Sequence, residues 1–165
     1  MPHTTLRSAS GFTLLETIVA TGILVMLLAG VAQLFVLSSR LTDNSGRRSS
    51  AAFAAQTKME SLLARAFTYS SEGDPITDPA IEPSPPGSLV ESIEGFEESL
   101  DADGHIIPAD EATAAVFVRR WAVTPLDDLT PEAFVIEVCV FRAPAEDVPV
   151  TAAESCLATV KARQP

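Results

Sequence analysis

The sequence predicts an α+β chain in which one long N-terminal helix, transmembrane in its first half, packs on a small antiparallel β-sheet. Three observations predict it. From Phe12 to Leu37 the chain is predominantly apolar, with Glu16 its only charge. From Ser38 to about Tyr69 apolar side chains recur at three- and fourfold spacing, the period of a half-buried helix. Beyond residue 89, runs rich in valine and aromatics alternate with short turn-forming stretches, and short connections favour antiparallel pairing. The chain therefore divides into a polar leader (1–11), an apolar helix (12–37), its amphipathic continuation (38–70), a proline-rich linker (71–88) and a sheet domain (89–165).

The 26 residues from 12 to 37 reach roughly 39 Å as a helix, more than the roughly 30 Å of bilayer hydrocarbon. A cleaved secretory signal fits poorly, because its apolar core is shorter and Leu34-Phe35-Val36-Leu37-Ser38-Ser39-Arg40 offers no small-x-small site. A plain signal anchor needs only the long apolar helix and leaves Glu16 snorkelling at the interface. Inside hydrocarbon a carboxylate costs several kcal/mol unless it is neutralised or paired, so Glu16 calls for a cationic partner. Thr13, Thr17 and Thr21 share one helix face, placed to bond their own carbonyls or to bond across helices. The flanking cations are Arg7 before the span and Arg40, Arg47 and Arg48 after it, a distribution that by charge bias alone puts the amino terminus outside.

In the continuation, Phe53, Gln56, Met59, Leu63, Ala66 and Phe67 mark the face expected to pack on the sheet domain. Asn44-Ser45-Gly46 interrupts the pattern and predicts a bend or local melting. Pro75, Pro79, Pro83, Pro85 and Pro86 exclude helix and central strand there and favour turns or extended backbone. Strands are predicted at 89–93, 96–100, 105–107, 115–123, 134–141 and 157–161. Phe117, Arg119, Trp121 and Val123 alternate against Val116, Val118, Arg120 and Ala122; Ile136, Val138 and Val140 alternate against Glu137, Cys139 and Phe141. One face of this sheet is expected to rest on the helix.

The formal charge of -11 is uneven. Through Tyr69 there are 6 Lys or Arg and 3 Asp or Glu, and from Ser70 onward 5 and 19, so the linker and sheet domain together are net -14. That surface repels phosphates, and no direct nucleic-acid contact is expected. Asp101-Ala102-Asp103-Gly104 with Ile106 and Asp110 has part of a calcium loop's spacing, but Ser99 stands at the first ligand position and the bidentate glutamate is missing. A plain turn is the favoured reading and no metal is assigned. His105 is the sole imidazole of the sheet domain, without a nucleophile motif, metal spacing or phosphate loop beside it. No catalytic residue and no cofactor is expected, and the chain reads as a non-enzyme.

Gly11-Phe12-Thr13-Leu14-Leu15-Glu16 before a long apolar helix resembles the processing site of type IV prepilins and of type II secretion pseudopilins. Ala54-Ala55-Gln56-Thr57-Lys58-Met59-Glu60-Ser61-Leu62-Leu63 is similar, more loosely, to the helical stem of minor pilins. The resemblance implies cleavage by prepilin peptidase between Gly11 and Phe12, N-methylation of Phe12, and assembly through Glu16 as the fifth residue of the mature chain. It also implies a pilin-like fold, a cytoplasmic leader against the charge bias, and a periplasmic head anchored in the inner membrane before extraction into a fibre. Implied partners are prepilin peptidase, other pilin or pseudopilin subunits, an inner-membrane assembly platform, and membrane lipid before assembly. Surface pilus, secretion pseudopilus and DNA-uptake pilus stay open. The other functional class is a signal-anchored extracytoplasmic binding protein whose acidic head never polymerises. Outside the cytoplasm Cys139 and Cys156, the only cysteines, are candidates for a disulfide, with two buried free thiols as the alternative.

Overall fold

The structure, a computed structural model, describes residues 11, 13–127, 131–144 and 149–165. One long helix, α1 (Leu14–Leu63), is followed by β1 (Phe67–Tyr69), β2 (Pro75–Thr77), β3 (Glu97–Leu100), β4 (Phe117–Pro125), β5 (Ala133–Arg142) and β6 (Ser155–Ala162). The chain divides into two compact units, Met1–Asn44 and Ser45–Pro165. In the first unit, α1 is exposed along its apolar length, and an 18-residue window there has mean hydropathy 2.3. This segment is long and apolar enough to anchor the chain in a membrane.

Asn44-Ser45-Gly46 is helical, so the chain does not melt locally there. Thr42 Oγ1 donates to the Ser38 carbonyl at 3.0 Å and Ser49 Oγ to the Ser45 carbonyl at 3.1 Å, so the flanking hydroxyls bond within the helix. A single glycine costs only about 1 kcal/mol. The helix ends at Leu63 rather than near Tyr69. Phe67-Thr68-Tyr69, aromatic and β-branched, instead forms a hairpin strand paired with Pro75–Thr77.

In the second unit, β3, β4, β5 and β6 form one antiparallel sheet in that order. The alternation read from β4 and β5 holds. Phe117, Trp121, Val123, Ile136, Val138 and Val140 join the core against α1, while Val118, Cys139 and Phe141 cluster on the opposite face. The packing face agrees with expectation at Met59 and, beyond the helix, at Phe67, and differs elsewhere, because Ala51, Ala54, Ala55 and Leu62 are the other buried helix residues and Phe53 is 66% exposed. The physical reason is proximity. Alanines let the α1 backbone come within hydrogen-bond range of the sheet, and Arg119 Nη1 donates 2.7 Å to the Ala54 carbonyl.

The proline-rich stretch holds more structure than turns alone. Pro75 opens β2 opposite Tyr69, the strand end where a missing N–H costs least. Pro79 begins a single 3-10 turn whose Asp78 side chain accepts the Ala80 N–H at 2.8 Å. Ile81 is fully buried, and Ser84 pairs with Val123 through its N–H at 2.9 Å, so this segment wraps the core. Residues 89–93 form a turn rather than the expected strand: Gly87, at φ 88°, leads into bonds from Val90 and Glu91 N–H back to its own carbonyl. The 105–107 run shrinks to one bridge, Ile106 to Leu100.

Candidate functional site

Glu16 lies in the first turn of α1. Thr13 caps that turn, its Oγ1 accepting the Glu16 N–H at 3.3 Å, and a carboxylate in a first turn faces the positive end of the helix dipole. Thr17 Oγ1 donates to the Leu14 carbonyl at 2.8 Å and Thr21 Oγ1 to the Thr17 carbonyl at 2.6 Å. The threonine stripe thus bonds its own backbone, leaving Glu16 as the one charged group of an apolar surface. Gly11 is exposed and precedes the helix. Phe12 and residues 1–10 lie outside the described residues, so the cleavage and methylation expectations fall partly there.

Within the second unit, the helix is fixed to the sheet by a polar cluster that the sequence reading missed. Arg119 and Arg120 on β4 stand directly opposite Glu98 and Glu97 on β3. Arg119 Nε donates to Glu98 at 3.0 Å, and its Nη2 donates to the same carboxylate. Lys58 on α1 adds a bond to Glu98 at 2.7 Å and sits 3.4 Å above the Trp121 ring. On the other face Arg120 binds Glu97 at 2.7 Å and the Val90 carbonyl. The signal was two matched doublets, Glu97-Glu98 and Arg119-Arg120, on neighbouring strands.

Burial alone would raise Glu98, but hydrogen bonds from Lys58 and Arg119 outweigh it and hold the carboxyl below its ordinary value. Burial lowers Lys58, and Glu98 recovers only part of that while Arg119 and Arg65 press the same way. One anion shared between two cations accounts for the difference. The carboxylate is the well-compensated member, so its charge carries the cluster.

The C-terminal strand closes the unit. Lys161 Nζ donates to the carbonyls of Leu63 and Arg65, the latter at 2.6 Å, taking up acceptors that the end of α1 leaves open. Arg163 lies 4.0 Å from the Phe67 ring and donates to the carbonyls of Thr68 and Ile76 at 3.1 and 3.0 Å. Cys139 and Cys156 are bridged across β5 and β6, with Cα atoms 4.1 Å apart.

The Asp101 turn is built from its own backbone. Asp101 Oδ1 accepts N–H bonds from Asp103 and His105, each at 2.9 Å, and Gly104 takes φ 87°. The His105 N–H leads the effects that lower the Asp101 carboxyl. Asp101, Asp103 and His105 place ligand atoms within 4.8 Å of one another, but one Asp101 oxygen is already committed to the turn. No protein-family model, curated protein or solved structure matches this chain.

Proposed function

We propose that the chain is a structural minor subunit of a type IV pilus or a type II secretion pseudopilus. Cleavage after Gly11 would expose Phe12, which is then methylated, and assembly would proceed through the apolar part of α1. The observation that carries this reading is Glu16, a lone charge in the first turn of an exposed apolar helix, four residues beyond the new terminus.

Once Gly11 is removed, the Phe12 amine is a cation at the membrane edge. In lipid neither it nor the Glu16 carboxylate can be desolvated alone, whereas the carboxylate of one subunit beside the amine of its neighbour offsets both penalties. The pairing favours one axial stagger between subunits. Prepilin peptidase, an inner-membrane platform and fellow subunits are the partners this reading requires, with lipid holding the helix before assembly.

The test is the amino terminus of membrane-extracted protein from cells with active prepilin peptidase. Mass spectrometry should find N-methylated Phe12. An intact Met1 or Pro2 terminus would overturn the reading in favour of a non-polymerising anchored binding protein. Glu16→Val should insert and be processed, yet lose incorporation beside other subunits.

A further inference from the structure

From the two edges of the main sheet, we infer that β6 is a docking edge for an added antiparallel strand of another polypeptide, one carrying a lysine or arginine opposite Ala158. This inference stands on the sheet alone and does not depend on the proposed function.

The edges are treated differently. At one, β3 has four residues, both of its glutamates are bound by arginines of β4, and the returning chain covers its end through the Ile107 N–H to the Ser99 carbonyl at 2.8 Å and the Ile106 bridge. Short length, charge and a covering loop are the usual protections of a sheet edge. At the other, β6 runs eight residues with one charge and no proline, and its register with β5 is continuous from Ser155 to Ala162, the irregular Glu154 N–H bond to the Val140 carbonyl lying just before it. Its charge is removed from the edge, because the Lys161 ammonium is bound to the carbonyls at the end of α1.

The hydrogen-bond parity says which groups are open. Arg163 N–H bonds inward to the Glu132 carbonyl at 2.8 Å, whereas Gln164 N–H bonds the other way, to Phe67 at 2.9 Å. By strand alternation the odd residues of β6 face β5, and Cys156, Ala158, Val160 and Ala162 turn their N–H and C=O groups outward. Among the described residues no strand pairs with that side of β6. β1 caps only its far end, at Gln164. An open row of backbone donors and acceptors specifies an extended chain.

Side chains narrow the occupant. Cys156, Ala158 and Val160 lie on one face, beside Cys139, Glu137 and Val135 of β5. Val160 is 57% exposed, which suits a β-branched neighbour. Glu137 has no salt bridge among the described residues, and its cross-strand neighbour Ala158 carries only a methyl group. Two strand spacings are about 10 Å, so a long basic side chain on the added strand can reach Glu137 across Ala158. The net charge of -14 from Ser70 onward favours such a partner over a second copy of this chain.

The test is hydrogen exchange on the full chain in detergent micelles, with the peptide acetyl-Thr-Thr-Val-Thr-Lys-Thr-Val-amide as probe and its Lys-to-Glu counterpart as control. The lysine peptide should slow exchange of the Cys156, Ala158 and Val160 amides by about tenfold or more, and the glutamate peptide should do much less. Val160→Pro removes one outward N–H and should abolish the effect while the Leu157, Thr159 and Lys161 amides stay protected by β5. Equal protection by both peptides, or none from either, overturns the inference. So does concentration-dependent protection without peptide, which would make the occupant a second copy.

Discussion

Replacing Glu98 with glutamine tests whether one carboxylate holds the amphipathic part of α1 to the sheet. The substitution keeps shape but leaves Lys58 and Arg119, with side chains 14% and 5% exposed, facing each other without a counter-charge. Removing one partner of a fully buried pair costs about 3 to 5 kcal/mol. Glu98 keeps 21% of its side-chain surface in water, so the lower end, about 3 kcal/mol, applies. For the unit from Ser45 to Pro165, an unfolding entropy of about 2.1 cal/mol/K per residue gives roughly 0.25 kcal/mol/K, and the midpoint should fall by about 12 °C. Thermal unfolding of the full chain in detergent, followed by fluorescence of Trp121, reads this directly, because the sole tryptophan lies beneath the Lys58 ammonium. Adding Lys58→Met to Glu98→Gln should cost less than the sum of the two single changes. A fall below about 3 °C (under 1 kcal/mol by the same conversion), or strict additivity, would refute the shared-anion account.

The same carboxylate sets a pH dependence. Its folded value lies below the unfolded one, so its stabilisation is complete above about pH 4.3 and is lost as pH falls through the lower folded value; the midpoint difference between the native chain and Glu98→Gln should shrink in that acid window. Cys139→Ser with Cys156→Ser opens a bridge of sequence separation 17, a loss of about 3 kcal/mol, and the variant's midpoint should no longer respond to reductant. Lys161→Met keeps the aliphatic stem but removes the ammonium from the helix-end carbonyls; about 1 to 2 kcal/mol should be lost, with faster exchange at the Ala64 and Arg65 amides.

The central strands were legible because β4 and β5 combine β-branched or aromatic residues with strict alternation, and burial of one face fixes their register. The helix face was legible at Met59 and misread elsewhere for an energetic reason. Hydrophobicity singles out Phe53, whereas close helix-to-sheet approach selects Ala51, Ala54 and Ala55, whose small size is invisible to a search for large apolar residues. The β1–β2 hairpin hid behind prolines that stand where their missing N–H is tolerated. At the candidate site, Glu16 was readable as the lone charge of an apolar run, and it lies in the first turn of α1. The Glu98 cluster was not, since its members lie up to 61 positions apart along the chain, from Lys58 to Arg119, and only strand register brings them together.

Lys161 and Arg163 bind carbonyls 87 to 99 positions earlier in the chain, and this has a bearing on biosynthesis. Loop closure over such a span precedes the reward. A nascent chain emerging amino end first must hold its helix terminus unlocked until residues 155–164 have been made. Completion of the head is thereby tied to completion of synthesis, and a carboxy-terminal truncation before Lys161 is expected to release the end of α1 even though every residue of that helix is present.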